Sequence, residues 1–308
     1  MKIIDYFEAE DKEYWLKELR KCKWSGGEFL CYLLDIGEFK KLCGETTRIL
    51  LLTDKGKLLS FCTYAEKDDI QDTDLTPWVG FVFTFEEYRN RGYIRKLLEH
   101  AYYLAQKDGY EYIYISTNAD GLYEKYGYSF WKMMKDFHGE DSRIYRIKVA
   151  EMDYKIRELK KEEISLLNDF LYEAIFIPEG MEAPDRDILN RPELQVYVKD
   201  FYLKDSDCCL VSEKKGKVIG AVWSRIMNDY GHIDDDTPSL AISILPEYRN
   251  TGIGTALMRE MFELLHKKGF GNVSLAVQKD NYALKMYEKL GFEKYSENSE
   301  EYIMIKEL

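Results

Sequence analysis

No apolar run in this chain exceeds strand length, so it lacks the stretch of about 20 apolar residues that a membrane-spanning helix needs. The opening residues, Met1–Glu10, turn acidic too soon for a secretion signal. Positive charge is in deficit: 44 Lys and Arg stand against 56 Asp and Glu, a net charge of −12. Nucleic-acid binding by counterion release needs basic patches, and none stands out. Only four histidines occur, His100, His138, His232 and His266, and none has a recognisable relation to any of the six cysteines. The cysteines lack metal-ligand spacing, so reduced buried thiols in a cytoplasmic protein are expected. Cys208 and Cys209 are adjacent in a strand pattern and should point to opposite faces.

What is present centres on Arg249-Asn250-Thr251-Gly252-Ile253-Gly254. An apolar strand-like run, 240–245, precedes this stretch, and a helical pattern, 255–265, follows it. A glycine-bearing turn between a strand and a helix presents free backbone N–H groups to an anion. Gly254 has no side chain, so phosphates can approach the backbone there. Thr255 opens the helical pattern. A tight turn without a ligand is the plainer reading of a lone Gly-x-Gly. A second motif argues against it: Asn281 through Tyr287 to Gly291-Phe292, with Asn281 at a plausible N-cap.

The Arg-x-x-Gly-x-Gly loop and the Asn281/Tyr287 motif together resemble the signatures of the GNAT acyltransferase superfamily. The resemblance implies acetyl-CoA as co-substrate and acylation of an amine. It assigns the pyrophosphate to the loop and the pantetheine to backbone pairing along Ile242, Ser243 and Ile244, one of whose amides would serve the thioester carbonyl. It makes Tyr287 the donor to the departing thiolate. Simple core packing is the alternative role for Ile242, Ile244 and Tyr287.

The chain reads as two copies of one fold. Gly56 and Gly216 are 216 − 56 = 160 apart, and so are Glu87-Tyr-Arg-Asn90 and Glu247-Tyr-Arg-Asn250, and Gly92 and Gly252. Tyr123 and Tyr287 lie at 287 − 123 = 164, so the first copy is four residues shorter between loop and tyrosine. So long an offset marks duplicated domains, not a solenoid. Domains of 1–150 and 151–308 are expected, each an α/β unit with a mixed sheet flanked by helices. In the first copy, strands are expected near 2–8, 48–53, 58–65, 79–85, 112–116 and 142–149, and helices near 12–22, 27–43 and 93–107. In the second, strands are expected at 154–159, 209–212, 218–225, 240–245, 273–277 and 302–306. Its helices are expected at 162–175, 192–200, in the pattern after the glycine loop, and around Tyr287.

Acyl transfer sets chemical demands. A lysine-like amine loses its proton near pH 7.4 at a cost of about 4 kcal/mol, and a carboxylate acting directly or through water can take it. Asp234, Asp235 and Asp236, before the central strand, are candidates, as are Glu179 and Glu182 in the Pro/Gly-rich loop. No single base is identifiable from the sequence. Full proton transfer from a tyrosine to a thiolate is uphill by roughly 2 kcal/mol, so Tyr287 is expected to act mainly as a hydrogen-bond donor.

The first copy departs from the pattern. Ile94 stands where Gly254 stands, although Arg91 and Arg95 add compensating charge, and Tyr123 survives without a clear counterpart of Asn281. The leading reading is therefore an N-acetyltransferase whose second domain is catalytic, acting on a small-molecule amine with no nucleic-acid or membrane partner. A non-catalytic acyl-CoA-binding sensor or interaction module is the alternative. A nucleotide-binding regulatory domain is disfavoured, since no Lys-Ser/Thr follows the glycine and no acidic ribose ligand is apparent.

Overall fold

The computed structural model describes residues 1–178 and 180–308, which form two compact units, Met1–Met152 and Asp153–Leu308. The N-terminal unit begins with β1 (Lys2–Asp5), α1 (Lys12–Leu19), α2 (Ser25–Asp35) and α3 (Phe39–Cys43). It continues with β2 (Arg48–Asp54), β3 (Lys57–Ala65), β4 (Trp78–Thr84), α4 (Tyr93–Asp108), β5 (Tyr112–Thr117), β6 (Ser129–Lys135) and β7 (Asp141–Lys148). The C-terminal unit follows with β8 (Lys155–Glu158), α5 (Leu166–Ala174), α6 (Pro192–Gln195), β9 (Cys208–Lys214), β10 (Lys217–Arg225) and β11 (Ser239–Ile244). Then come α7 (Ile253–Lys267), β12 (Asn272–Gln278), α8 (Leu284–Lys289), β13 (Glu293–Glu297) and β14 (Glu301–Glu307). Among the described residues, no helix is long and apolar enough to cross a membrane.

Each unit is one seven-stranded sheet, ordered β1-β2-β3-β4-β5-β7-β6 and β8-β9-β10-β11-β12-β14-β13. Two-residue hairpins join β2 to β3 and β9 to β10. Their loop residues Lys55-Gly56 and Lys215-Gly216 all take positive φ, as the twist of a tight hairpin requires. Antiparallel pairing prevails except where β4 meets β5 and β11 meets β12. Those parallel contacts each hold a single ladder pair among the described residues, Trp78–Tyr114 and Ser239–Ser274. Beyond that pair the two central strands diverge, and one edge of β4 and of β11 is left without a strand partner.

Alternation along the strands divides each core in two. In the N-terminal sheet Leu50, Leu52 and Cys62 pack towards α4, while Ile49, Leu51 and Phe61 pack towards α1–α3. In the C-terminal sheet Cys208, Leu210 and Val222 face α7, and Cys209, Val211 and Trp223 face α5. The adjacent cysteines thus point to opposite faces, and all six thiols are free and buried. Leu257, Met258, Met261 and Leu265 of α7 are fully buried, and each stabilises the docked helix by roughly 1.5–3 kcal/mol.

The structure corrects several element boundaries. The helix expected over 27–43 is two helices, broken at Gly37, whose φ of +69° no continuing helix tolerates. The helix expected over 192–200 has one regular turn, Pro192–Gln195, before loosening into turns. Two strands lack a sequence counterpart: β6 and β13, edge strands whose residues are mostly or wholly exposed and so carry no apolar alternation.

Candidate functional site

Between β11 and α7 the chain makes a single 3₁₀ turn at Pro246–Tyr248 and then turns twice into the left-handed region, at Asn250 (φ 62°) and Gly252 (φ 89°). Gly252 is the N-cap of α7 and offers no side chain to cap it. The first intrahelical bond is donated by Ala256 N–H to Gly252 C=O, so the amides of Ile253, Gly254 and Thr255 have no partner within the helix. The Ile253 side chain lies in the core, and the Thr251 hydroxyl donates to the Tyr248 carbonyl at 2.6 Å.

The two glycines differ in physical reason. A Cβ on Gly252 would meet nothing within 4 Å, but its φ excludes most other residues. Gly254 has ordinary helical geometry. A Cβ there would lie 3.6 Å from Met286 Sδ, 3.8 Å from Ile244 Cγ1 and 3.9 Å from Ile242 Cδ1, all ordinary contacts. Neither backbone strain nor crowding within the protein demands glycine at 254.

Arg249 serves the loop itself. Its Nε donates to the Ile244 carbonyl at 2.9 Å, and its Nη2 pairs with the Glu173 carboxylate at 2.9 Å. The guanidinium therefore ties the end of β11 and the end of α5 to the turn. Ser243 is likewise engaged: its buried hydroxyl donates to the Phe170 carbonyl at 2.6 Å. Leu245 N–H bonds to Ile219 of β10, so strand alternation turns the amides of Ile242 and Ile244 the other way, towards the open edge facing β12.

Asn281 does not cap α8 directly; Ala283 holds that position. Its Oδ1 instead accepts the Ala283 N–H at 2.9 Å, an Asx turn that leads the chain into the helix. Tyr287 lies on α8, 8% exposed, its ring edge-on to Phe292 at 5.8 Å. Burial pushes its phenol well above the usual tyrosine value, so the hydroxyl stays protonated through the physiological range.

Among the carboxylates named from sequence, Asp234 is held below the ordinary carboxylate value by the Thr237 hydroxyl, with the Asp236 N–H adding a 3.0 Å bond, so it is a weaker base. Glu182 is exposed, and Glu179 lies outside the described residues. Sequence reasoning passed over a polar chain at the mouth of the β11–β12 divergence. Asp229 accepts from the Tyr197 and Ser239 hydroxyls, each at 2.7 Å, and Ser239 touches Ser274 at 3.2 Å. Nearby, Gln278 donates to Glu301 at 3.0 Å, and burial raises the Glu301 carboxyl. No sequence signal gathers these residues, because they come from five separate segments.

The N-terminal copy keeps the loop geometry, with Asn90 at φ 63° and Gly92 at φ 72°. Ile94, at the position of Gly254, packs against the α4 core together with Val82. Arg95 donates to the Lys125 carbonyl at 3.3 Å and lies over the Tyr126 ring, and Arg91 lies over Tyr88. Tyr123 is buried in a single 3₁₀ turn, and burial raises its phenol as it does that of Tyr287.

Comparison with known proteins gives a consistent picture. The model of the Acetyltransferase (GNAT) family matches this chain twice, over residues 6–128 and 171–292. A probable N-acetyltransferase camello of Xenopus tropicalis is 31% identical over 97 residues, 31% of this chain and 43% of that protein. The chain thus spans under half the length of the first curated relatives it matches. A mycothiol acetyltransferase of Pseudarthrobacter chlorophenolicus is 22% identical over 268 residues, 77% of this chain and 78% of that protein. Among solved structures, the PaiA N-acetyltransferase of Thermoplasma acidophilum in complex with coenzyme A is 22% identical. It covers 51% of this chain and 100% of its own, with a TM-score of 0.41.

Proposed function

This chain belongs to the GNAT acetyltransferase family, and from that premise we propose that its C-terminal domain transfers the acetyl group of acetyl-CoA to a small-molecule amine. The observation that carries the reading is Gly254. The fold does not need glycine there, and the missing Cβ leaves space above the free amides of α7 and beside Ile242 and Ile244. A phosphate-bearing ligand with an extended arm fits that combination. The loop 249–254, with Thr255, is its phosphate cradle, and Asn281 shapes the entry to the tyrosine helix.

Acetyl-CoA supplies an activated thioester carbonyl. The chain's part is to hold and polarise it. The outward amides of Ile242 and Ile244 pair with the extended arm, and one of them donates to the carbonyl oxygen as negative charge grows there. Ser243 contributes by its place in the strand; its hydroxyl is committed to Phe170. The amine nitrogen attacks the carbonyl carbon, the C–N bond forms, the C–S bond breaks, and the electron pair leaves on sulfur. The amine proton goes to a carboxylate. Glu301, at the strand divergence and raised by burial, is a better candidate than Asp234. Tyr287 donates a hydrogen bond to the departing sulfur. Its raised phenol makes full proton transfer costlier than in water, so stabilisation of charge is its main role. The reducing cytoplasm suits six unpaired thiols and is where we place the reaction.

Titration calorimetry with acetyl-CoA on the wild type and on Gly254→Trp, with free-thiol release measured across a panel of amines, tests the reading. Micromolar binding corresponds to about −8 kcal/mol and should be lost in the variant. Binding without turnover on any amine would instead make the domain an acyl-CoA sensor.

A further inference from the structure

Arg225 closes β10 as a buried cation: its side chain is 7% exposed, and that of its partner Asp207 is fully buried. Nη2 donates to Asp207 Oδ2 at 3.1 Å. Nη1 donates to the carbonyls of Val196 and Lys199 at 3.0 and 2.8 Å. Asp207 Oδ2 also accepts the Tyr202 N–H at 2.9 Å. Asp200 and Tyr202 both take left-handed φ, 55° and 67°. Two non-glycine residues so close together in that region need surroundings that over-determine them, and such segments gather at functional sites.

Stability alone does not call for this pair. Desolvating two charges costs about what their attraction returns, and packed apolar residues commonly serve a fold as well. In the first copy the matching strands, offset by 208 − 48 = 160 and 217 − 57 = 160, carry Thr47 and Ala65 at these two positions. Its seven-stranded sheet forms without the pair. Both copies have a carboxylate soon after the strand, Asp69 in one and Asp229 in the other.

What the pair holds is Tyr197. The carbonyls bound by Nη1 lie on either side of it, and its hydroxyl donates to Asp229 Oδ2 at 2.7 Å. Asp229 Oδ1 accepts the Ser239 hydroxyl at 2.7 Å, and Ser239 stands opposite Arg225 in the β10–β11 ladder. Both oxygens of Asp229 are therefore aimed by groups anchored at Arg225. This carboxylate lies where β11 and β12 part, and after burial and Glu300 its charge adds to the raising of Glu301.

We infer that Arg225 is a positioning residue for the acceptor amine: it locks residues 196–202, seats the Tyr197 hydroxyl on Asp229, and so aims the carboxylate that an incoming ammonium meets near Glu301, an assignment that rests on the acetyl-transfer reading of this domain. A carboxylate that holds the amine alike before and during reaction shows its loss in KM and spares kcat. The glycine loop at 249–254 shares none of these residues, so acetyl-CoA binding does not depend on them.

Steady-state kinetics of the full chain test the assignment. Free-thiol release is followed with acetyl-CoA and whichever of spermidine, glucosamine, lysine and phenethylamine the wild type acetylates fastest. Arg225→Lys keeps the charge opposite Asp207 but loses the planar fork that spans two carbonyls and a carboxylate. Tyr197→Phe leaves the Arg225–Asp207 pair whole and removes only the hydroxyl on Asp229. Each should raise the KM of the amine about tenfold, with kcat within about twofold of wild type and the calorimetric Kd of acetyl-CoA unchanged. Asp229→Asn should raise KM at least as much, and in that background neither Arg225→Lys nor Tyr197→Phe should raise it further. A residue that merely supports the fold would lower the melting temperature and leave the amine KM alone. If Arg225→Lys fails to fold, Tyr197→Phe carries the test. An unmoved KM in Tyr197→Phe, or a KM increase that persists in full in the Asp229→Asn background, overturns the assignment alone. A wild type that binds acetyl-CoA but acetylates none of the four amines overturns the acetyl-transfer reading, and the assignment with it.

Discussion

A Cβ built on Gly254 would lie 3.6 Å from Sδ of Met286, a contact that any packed interior makes without strain. Glycine at this position therefore weakens α7 without relieving any crowding. Gly254→Ala should leave the melting temperature unchanged or raise it, since alanine within a helix is favoured by about 0.5–1 kcal/mol. The same change should weaken acetyl-CoA binding, and Gly254→Trp should abolish it. A melting temperature that falls in step with affinity would show that Gly254 serves the fold.

Tyr287→Phe should lower kcat on the order of 10²-fold and leave acetyl-CoA affinity nearly unchanged. The hydroxyl matters only as charge builds on sulfur, so the loss should appear equally in kcat and kcat/KM. The ring and its edge-on contact with Phe292 remain, so thermal stability should hold. A wild-type kcat, measured with chemistry limiting, would reduce Tyr287 to packing.

Arg249 and Glu173 should act as one structural latch. Both are only partly exposed, and the pair is 2.9 Å apart with a further bond from Arg249 Nε to the Ile244 carbonyl. Arg249→Ala and Glu173→Ala should each destabilise the chain by about 1–2 kcal/mol, and the double variant by less than their sum. If Arg249→Ala abolishes acetyl-CoA binding while Glu173→Ala leaves both binding and stability untouched, the guanidinium serves the ligand directly.

Asp68 should make stability fall as pH rises. Its carboxyl is raised in the folded chain from an unfolded value of 3.8 to about 7, so the folded state holds the proton more tightly between those values. Stability from that proton is full below pH 4 and is lost as pH climbs towards 7, a span of roughly 4 kcal/mol at most. Asp68→Asn should therefore raise the melting temperature at pH 8 and change it little at pH 4. Equal shifts at both pH values would mean that the carboxyl is not desolvated.

The elements that frame the proposed site were legible in the sequence where they are contiguous. The strand, the glycine-bearing turn and the helix after it follow one another in the chain, so local rules reach them; the left-handed backbone at Asn250 and Gly252 came only with the structure. The 160-residue offset worked for the same reason: Lys55-Gly56 and Lys215-Gly216 make the same hairpin turn. Exposed edge strands escaped. In β13, Glu293–Glu297, every residue faces water, so nothing in its pattern marks a strand. Asn281 was placed as a cap from its residue type, yet its side chain bonds two residues on, a difference that only backbone geometry settles.

The sequence by itself determined the doubled α/β architecture, the family, and the loop and tyrosine helix of the second copy. Those depend on periodicity and on residues with special backbone needs, both written locally. Tertiary structure alone decided which side chains are already engaged, as Arg249 is with Glu173 and Ser243 with Phe170. It also decided which carboxylates are desolvated: Asp68 reads as one more loop acid until Gly80, twelve residues on, is seen to admit it against β4. Burial and partnership depend on distances between segments far apart in the chain, and no local pattern encodes those distances.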